Sequence, residues 1–390
     1  MHELDIRLPG SDGRQHSHRL RNDPILIDRQ DAPFNRIAFS AAHVVADPVA
    51  TLEPAERVAI DWEATLAYRR RLADLGLDIA EAMDTAQRGM GLTWGDSLEL
   101  IRVTTAELSG HPRARVFSGV GTDHLAPGEP RDLDGVVAAY LDQLNAVQSL
   151  GGRIILMASR ALARVARSPG DYEKVYRRVL AEAAEPVILH WLGDMFDPAL
   201  AGYWGAADFE AALPTVLAII ADNADKVDGI KISLLDAAKE IRLRRALPAG
   251  VNMYTGDDFN YPDLIAGDAE GYSHALLGIF DAIAPAASAA LAALAAGDTD
   301  GYRALLDPTV PLSRTIFRAP TYAYKTGVVF LAWLNGYQSH FTMLAGAEAQ
   351  RSAQYFTQVF HQADAARLLR DPALAAARMR ILLALHGFEG

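Results

Sequence analysis

The sequence predicts an α/β fold, a (β/α)8 TIM barrel with an N-terminal arm and a C-terminal helical extension. Apolar runs of strand length alternate eight times with helix-like stretches over about 240 residues, the pattern of a barrel of parallel strands. After Leu276 the strand-like runs stop, and the rest of the chain shows only helical periodicity. A doubly wound open sheet is the alternative fold with the same alternation.

Residues 1–34 lack a long periodic pattern and are expected to form an arm or a hairpin. The cluster Pro9-Gly10-Ser11-Asp12-Gly13 is typical of a turn between two short strands. This segment has no apolar run of signal-peptide length, and no later run reaches the roughly 18 apolar residues of a membrane helix. We therefore expect a cytoplasmic protein with no membrane partner.

Residues 35–283 are predicted to form the barrel. Asp96, Ser168 and Asp208 stand at or near predicted helix starts, where their side-chain oxygens can accept hydrogen bonds from free backbone N–H groups. The predicted strands are residues 36–45, 77–83, 115–121, 153–158, 186–192, 227–232, 250–255 and 271–276.

Residues 284–390 are predicted to form the helical extension, which begins with the Ala-rich stretch 284–297. The apolar run 328–334 suggests a buried contact with the barrel or with another subunit.

The composition narrows the class of function. The chain has 37 basic and 49 acidic residues, a net charge of −12, which argues against nucleic-acid and anionic-membrane partners. It has no cysteine, which excludes disulfides, thiolate metal sites and a cysteine nucleophile. A small-molecule substrate is the remaining expectation.

Lys231 is the residue that most strongly suggests chemistry. Alternation along residues 227–233 places Ile230 and Ile232 on one face and Lys231 on the other, with Gly229 and Ser233. In a sheet covered by helices both faces are buried, so an ammonium there must be paired or lose its proton. A neutral amine can form a Schiff base with a carbonyl compound. A lysine that extends from the strand end to solvent is the structural alternative.

Polar residues gather at the C-terminal ends of the predicted strands, where the active sites of such barrels lie. His190 would face Lys231 on the next strand and could move protons, or it could be a hydrogen-bonded core histidine. Arg88 and Arg160 could bind an anionic substrate group or form salt bridges. Asp257 could bind substrate or cap the following helix. The other residues predicted at this rim are Glu81, Asp84, Thr85, Asp123, His124, Ser159, Asp194, Gly256, Asp258, Tyr272, Ser273 and His274.

The same rim leaves a metal-dependent isomerase, epimerase or lyase open. Glu81, Asp84, His124 and His190 would be the ligands, because carboxylate and imidazole groups suit a divalent ion. Their spacing matches no recognised metal motif. No Gly-x-Gly-x-x-Gly turn follows an early strand, so a nicotinamide cofactor is not expected, and the leading hypothesis needs no cofactor.

Several short motifs occur in the order and spacing of a known family. They are Leu92-Thr93, Leu98-Glu99-Leu100-Ile101, Gly119-Val120-Gly121-Thr122, Gly229-Ile230-Lys231, Gly256-Asp257-Asp258 and Tyr324-Lys325. Through them the chain resembles the dihydrodipicolinate synthase and N-acetylneuraminate lyase superfamily of class I aldolases, in a divergent branch of unknown function. The resemblance extends over roughly residues 37–334 and implies a Schiff base on Lys231 and a homo-oligomer, either a dimer or a tetramer.

Other residues depart from the pattern of that superfamily. Its Gly-Thr-Thr-Gly-Glu loop, which binds a keto-acid carboxylate, corresponds to residues 84–88, where only Thr85 is retained. Its strand-five tyrosine, a proton relay, corresponds to His190, and its paired strand-four tyrosines correspond to Ser159 and Arg160. The resemblance therefore implies an imine, but it leaves open whether pyruvate is the donor.

We expect a Schiff-base lyase, aldolase or dehydratase that acts on a 2-oxo acid or a keto-sugar-like substrate. Lys231 would form the imine, His190 would move protons, and Thr85 would orient or relay. The residues expected to bind substrate are Asp84, Arg88, Ser159, Arg160, Gly256 and Asp257. The alternatives are the metal-dependent enzyme and a catalytically inactive sugar-binding or regulatory protein.

Overall fold

Eight parallel strands close into a barrel in the computed structural model of the protein, which describes residues 4–10, 12–50 and 59–388. The strands of the described chain are β1 Asp5–Pro9, β2 Gln15–Arg19, β3 Ala38–Ala41, β4 Asp78–Glu81, β5 Val116–Val120, β6 Arg153–Leu156, β7 Val187–Leu192, β8 Val227–Ser233, β9 Asn252–Thr255 and β10 His274–Leu277. The order around the barrel is β10-β3-β4-β5-β6-β7-β8-β9, and β9 pairs with β10 to close it. The (β/α)8 prediction is confirmed, and the open-sheet alternative is wrong.

Helices alternate with the barrel strands along the chain and continue after the last strand. Their bounds are α1 Trp62–Asp74, α2 Trp94–Leu108, α3 Leu133–Ser149, α4 Arg160–Val165, α5 Pro169–Ala181, α6 Phe209–Asp222, α7 Ala237–Arg244, α8 Tyr261–Ala266, α9 Ile279–Ala282, α10 Ala284–Ala295, α11 Thr299–Leu306, α12 Val310–Ile316, α13 Tyr324–Leu334, α14 Ala353–Ala365 and α15 Pro372–Leu385. Helices α10 to α15 form the predicted C-terminal helical region, and α9 directly precedes it. No single helix in the described ranges is long and apolar enough to cross a membrane, and only the bent pair Pro198–Gly205 and Phe209–Asp222 meets that length and composition together.

The chain divides into two compact units. The barrel unit consists of Arg36–Ala42 and Asp78–Gly278, and the helical unit consists of Met1–Asn35, His43–Leu77 and Ile279–Gly390. The domain ranges predicted above, 1–34, 35–283 and 284–390, remain predictions.

The N-terminal hairpin belongs to the helical unit. Strand β1 pairs antiparallel with β2, so that Asp5 lies opposite Arg19 and Pro9 opposite Gln15. Residues 1–3 of the predicted arm, Ser11 of its turn and residues 389–390 lie outside the described residues.

The interior of the barrel is filled by apolar side chains from alternate positions of its strands. The buried cluster contains Phe39, Ala41, Ala80, Met83, Phe117, Ile155, Ile188, Tyr254 and Leu276. Because side chains alternate between the two faces of a strand, this cluster defines which positions of every strand point inward. A residue two positions after one of these inward residues also faces the barrel interior and lies nearer the C-terminal end of the strand.

Capping residues fix the starts of the barrel helices. Thr93 and Asp96 form a capping box at α2, and Ser168 and Asp171 form another at α5. The Asp208 side chain accepts a hydrogen bond from the backbone of the first turn of α6. The predicted helix starts near Asp96, Ser168 and Asp208 are therefore confirmed.

The prediction for the last barrel strand is wrong at its start. Strand β10 begins at His274, so Tyr272, Ser273 and His274 lie at its N-terminal end and not at the catalytic rim. The His274 ring accepts a hydrogen bond from the Ile37 backbone, and Tyr272 is stacked under an arginine side chain. These polar residues lead into the strand, and its apolar run comes later than the alternation suggested.

Candidate active site

Lys231 lies on the inner face of β8, near its C-terminal end. A Cβ atom on Gly229 would collide with Tyr254 of the barrel core, and alternation then places Lys231 and Ser233 on the same inner face. Lys231 is only 8% exposed, and its Nζ makes no hydrogen bond with another described residue. Burial lowers the pKa of Lys231, whereas the charges of Asp258 and Asp84 act in the opposite direction and do not offset it. This amine is therefore easier to deprotonate than an ordinary lysine.

His190 lies beside Lys231 on the neighbouring strand. The two residues are partners in the parallel register of β7 and β8, which confirms the prediction that they face each other. The Nε2 atom of His190 lies 3.2 Å from the Ser233 hydroxyl oxygen. Burial, and to a smaller extent the charge of Lys231, lowers the pKa of His190 well below 6.5. Its imidazole is consequently neutral at neutral pH.

A cavity of about 670 Å³ opens at the C-terminal ends of β4, β5, β6 and β7. Its walls come from the loops after these strands and from the start of α4, and its volume suits a small organic molecule. Four of the predicted site residues line it, Asp84, Arg88, Arg160 and His190. The other five, Thr85, Ser159, Lys231, Gly256 and Asp257, do not form its walls, although Lys231 is the register partner of His190.

Asp84 and Thr85 belong to a short 3-10 turn, Asp84–Ala86, that directly follows β4. Thr85 is buried, at 1% exposure, whereas Asp84 is partly exposed at the cavity. The Asp84 carboxylate makes no hydrogen bond with another residue of the described ranges, and its charge acts on Lys231. Asp84 is thus an acceptor that a bound molecule could use.

The Arg88 guanidinium donates its hydrogen bonds to acceptors within the protein. Its Nε and Nη2 atoms donate to the two oxygens of Asp123 at 3.0 and 2.7 Å, and Nη2 also donates to the Gln143 side chain. Its Nη1 donates to the backbone carbonyls of Ala82 and Gly119. All five N–H donors of the guanidinium are therefore used within the protein, which leaves Arg88 no donor for a substrate.

Asp123 is the counterion in this arrangement. Burial acts to raise the pKa of Asp123, but the Arg88 guanidinium and the Gln143 amide hold it below the usual value. The pair remains ionised and joins the loop after β4 to the end of β5.

Arg160 differs from Arg88 in its free donors. Its side chain is 65% exposed, and its Nε donates to Asp197 at 2.5 Å. Its Nη1 and Nη2 atoms make no hydrogen bond with the described part of the chain, and Arg160 lines the cavity. It can therefore bind an anionic group bidentately.

Ser159 has a structural role at the start of α4. Its hydroxyl accepts a hydrogen bond from the Leu162 backbone N–H and lies 2.6 Å from the Thr122 hydroxyl oxygen. Its own backbone N–H donates to the Tyr203 hydroxyl. These contacts fix the position of the neighbouring Arg160.

Gly256 and Asp257 lie in the loop after β9. A Cβ atom on Gly256 would lie 2.8 Å from the Lys231 Cε atom and would overlap the Ser233 hydroxyl, so the absence of a side chain leaves room for both. The Asp257 carboxylate accepts hydrogen bonds from the backbone of Phe259 and from the backbone and side chain of Asn260. It therefore organises the turn before α8, whereas the predicted alternative, that Asp257 caps the following helix, is wrong because the cap position of α8 is Asn260 and has no side-chain hydrogen bond.

The four residues of the metal alternative do not converge. Glu81 points away from the barrel interior, where its carboxylate accepts hydrogen bonds from the Ala82 backbone and from Thr104 of α2. The His124 ring is hydrogen-bonded to the Gln143 amide. No group of three or more His, Asp or Glu side chains in the described ranges is arranged to hold a metal ion. The expectation that Glu81, Asp84, His124 and His190 form one ligand set is therefore wrong, because strand alternation turns Glu81 outward.

Ser233 was predicted on the face of Lys231 and Asp258 at the rim, but neither was assigned a catalytic or binding role. Ser233 contacts His190 directly, and the charge of Asp258 acts on Lys231. The spacing of two positions from Lys231 was the signal for Ser233, since it places both side chains on one face. Asp258 follows Asp257 directly, and sequence alone could not distinguish which of the two acidic side chains turns towards the lysine.

The sequence matches one protein family along nearly its whole length. The sequence model of a family described as "Protein of unknown function (DUF993)" matches residues 6–388. None of the curated proteins matches the sequence significantly.

The fold is similar to that of solved enzyme structures. A 4-hydroxy-tetrahydrodipicolinate synthase from Methylacidiphilum fumariolicum SolV is 15% identical, with a TM-score of 0.64 over 89% of this chain and 99% of that chain. A dihydrodipicolinate synthase from Bacillus anthracis is 17% identical, with a TM-score of 0.56 over 76% of this chain and 88% of that one. The Aquifex aeolicus dihydrodipicolinate synthase is 15% identical, with a TM-score of 0.57 over 77% and 88%. At these identities the likeness shows the fold, and it agrees with the resemblance found in the sequence.

Proposed function

The chain belongs to the family described as "Protein of unknown function (DUF993)", and we propose that it is a Schiff-base-forming lyase, an aldolase or a dehydratase. The proposal depends chiefly on Lys231, a buried amine with a lowered pKa and no hydrogen-bond partner among the described residues. It lies at the end of a barrel strand where active sites of this fold form. The likeness to dihydrodipicolinate synthase structures supports this class of reaction.

Imine formation follows from the lone pair of a neutral Lys231. Nζ attacks the carbonyl carbon of the substrate, and the carbonyl π pair moves to the oxygen. A proton passes from the new ammonium nitrogen to this oxygen and gives a neutral carbinolamine. Protonation of its hydroxyl and loss of water leave an iminium ion.

The iminium ion is the electron sink for the bond cleavage. In a retro-aldol step a base removes the proton of the β-hydroxyl group, the carbon–carbon bond breaks, and its electron pair moves to the iminium nitrogen. An aldehyde leaves, and the remaining enamine takes up a proton and is hydrolysed to release Lys231. In a dehydration the β-hydroxyl leaves as water after loss of an α-proton. His190 and Asp84 are the residues that we assign to these proton transfers, because His190 adjoins Lys231 and the charge of Asp84 acts on it.

The cavity supports a polar, anionic carbonyl substrate. Arg160 offers two nitrogens for a carboxylate or another anionic group, and Asp84 offers an acceptor for hydroxyl groups. We therefore propose a 2-oxo acid or a keto-sugar acid as the substrate class. Thr85 keeps its predicted role as an orienting or relay residue next to Asp84.

Trapping with borohydride tests the proposal. The purified protein is incubated with a panel of 2-oxo acids and keto-sugars, reduced, and analysed by intact mass and peptide mapping. We expect one adduct, on Lys231, whose added mass identifies the carbonyl donor. The Lys231→Ala protein should give no adduct, and the Lys239→Ala protein, which lacks a partly exposed lysine of α7, should give the full amount.

An adduct on another lysine only, or full turnover by the Lys231→Ala protein, contradicts the proposal. An adduct or a stoichiometric complex without turnover for any member of the panel would favour the inactive sugar-binding alternative. A homo-oligomer is also proposed from the superfamily resemblance, and light scattering of the purified protein tests it.

A further inference from the structure

The Ser233 hydroxyl lies between the end of β8 and the ring of His190. Ser233 is 2% exposed, and its Oγ is 3.2 Å from the His190 Nε2 atom. Ser233 follows Lys231 on the same inner face, and its own register partner on β7 is Leu192, two residues after His190. The contact is therefore fixed by the pairing of the two strands.

The Ser233 hydroxyl has His190 as its only hydrogen-bond partner in the described part of the chain. A buried hydroxyl hydrogen needs an acceptor. If the ring donated from Nε2, the serine hydrogen would have no acceptor among the residues that the structure describes. The hydroxyl hydrogen has an acceptor only if Ser233 donates to Nε2.

A neutral imidazole carries one N–H. If Nε2 accepts from Ser233, the proton of His190 must be on Nδ1. His190 lines the cavity, and its Nδ1 makes no hydrogen bond with another described residue. This N–H can therefore point at a bound substrate.

We propose that Ser233 is a positioning residue that holds His190 in the Nδ1–H tautomer, so that the ring meets the substrate as a hydrogen-bond donor. This inference rests on the proposed function, since the acceptor is the carbonyl oxygen that Lys231 attacks. The burial that keeps the ring neutral, and the Lys231 charge beside it, lower the pKa of His190 and support a donor that is not an imidazolium. The charged groups around the pair are Lys231 itself and the two carboxylates that act on it, Asp84 and Asp258.

The Nδ1–H group would act on the oxygen without losing its proton. As the bond between Nζ and the carbonyl carbon forms, the carbonyl π pair moves to the oxygen, and the Nδ1–H bond to this oxygen stabilises the growing negative charge. The proton that neutralises the oxygen comes from the Lys231 nitrogen. Ser233 thus prepares His190 for the first step. In the later steps Asp84 is the proton acceptor and the Nδ1–H group of His190 is the proton donor.

Gly256 leaves the space that the Ser233 hydroxyl occupies. The space next to Ser233 Oγ and Lys231 Cε is open because residue 256 has no Cβ. A Cβ there would overlap the hydroxyl, so a larger residue at this position would disturb its contact with His190.

The tautomer can be measured directly in the free protein. Long-range 1H–15N correlation spectra of 15N-histidine-labelled protein distinguish Nδ1–H from Nε2–H rings, and a His190→Gln sample identifies the signal among the 11 histidines. We expect the Nδ1–H pattern in the unaltered protein. In the Ser233→Ala protein we expect a mixture of tautomers or the Nε2–H form.

A kinetic comparison completes the test. The rate of borohydride-trappable adduct formation should fall by roughly 10- to 100-fold in Ser233→Ala, with little change in substrate affinity, because the hydrogen bond acts on the reacting oxygen. Ser118→Ala is the matched control, because Ser118 is a buried barrel serine whose hydroxyl has no hydrogen-bond partner in the described ranges. It should leave both the tautomer and the rate unchanged, and Ser233→Thr, which retains the hydroxyl, should restore the Nδ1–H signal.

An Nε2–H signal in the unaltered protein, or an unchanged tautomer and rate in Ser233→Ala, would overturn the inference. The NMR measurement needs no substrate, so it separates this inference from the proposed function. Absence of any adduct on Lys231 together with an Nδ1–H signal would refute the lyase while leaving the positioning by Ser233 intact.

Discussion

The pH dependence of stability can be predicted quantitatively for Glu240, whose carboxyl group in α7 is fully buried. Its two oxygens accept hydrogen bonds from the Thr255 hydroxyl at 2.9 Å and from the Ser273 hydroxyl at 2.7 Å. Burial raises the pKa of Glu240 from 4.5 to about 8, although these two hydrogen bonds act to lower it. Asp257 raises the pKa further, and Arg244 lowers it. The folded protein therefore holds Glu240 in its protonated form at neutral pH.

The sign of the pH effect follows from linkage. In the unfolded chain this carboxyl ionises near pH 4.5, while in the folded protein it keeps its proton up to about pH 8. Its contribution to stability is thus complete below pH 4.5 and is lost as the pH rises through 8. The maximal slope is about 1.4 kcal/mol per pH unit, so the loss over this window is at most roughly 4 to 5 kcal/mol.

Urea unfolding of the unaltered protein and of Glu240→Gln between pH 4.5 and 8.5 measures this effect. The free energy of unfolding of the unaltered protein, relative to Glu240→Gln, should fall steadily as the pH rises, because glutamine does not titrate. Glu185→Gln, at an exposed glutamate, should show the same pH dependence as the unaltered protein. Parallel curves for the unaltered and Glu240→Gln proteins would refute the reasoning.

Two further substitutions test other residues of the candidate site. Arg160→Ala should raise KM about tenfold with kcat within a factor of two, because the exposed guanidinium binds the anionic group and does not take part in the chemistry. The control Arg177→Ala, which removes an exposed surface ion pair, should leave KM unchanged. A lower kcat at constant KM in Arg160→Ala would contradict the assignment. Gly256→Ala should slow the trapping on Lys231 and destabilise the fold by about 1 to 3 kcal/mol, because the new Cβ would overlap Ser233 and press on Lys231. Gly95→Ala, where a Cβ would meet only an atom at 3.8 Å, is its control, and equal trapping rates for the two alanine variants would show that the space at Gly256 is not needed.

Local patterns in the sequence were sufficient to predict the barrel and the central pair of the site. The period of two in residues 227–233 placed Lys231 on the inner face, and consecutive barrel strands are neighbours, which brought His190 beside it. The helix starts were predictable because capping by Asp208 and by the Ser168 pair is a local interaction.

Contacts between segments that are distant along the chain could not be predicted from the sequence. Whether Arg88 binds substrate depends on Asp123 and Gln143, which come from the loop after β5 and from α3 and use its donors only after the barrel has closed. The outward direction of Glu81 depends on the exact register of β4, and a shift by one residue would have turned it into the site. Sequence periodicity identifies a polar rim, but it does not show which of the rim side chains are already hydrogen-bonded to one another.

The placement of the site groups along the chain has a consequence for how this protein could be altered. Lys231, His190 and Ser233 all lie on β7 and β8, whereas Asp84 and Arg160 belong to segments that follow β4 and β6. Under the proposed mechanism, covalent capture and the choice of substrate are therefore encoded in separate stretches of sequence. Exchanging the loops after β4 and β6 between members of the family would then change the substrate preference and leave the imine-forming strands unaltered. By the same reasoning, relatives with divergent loops would act on different substrates through one shared chemistry.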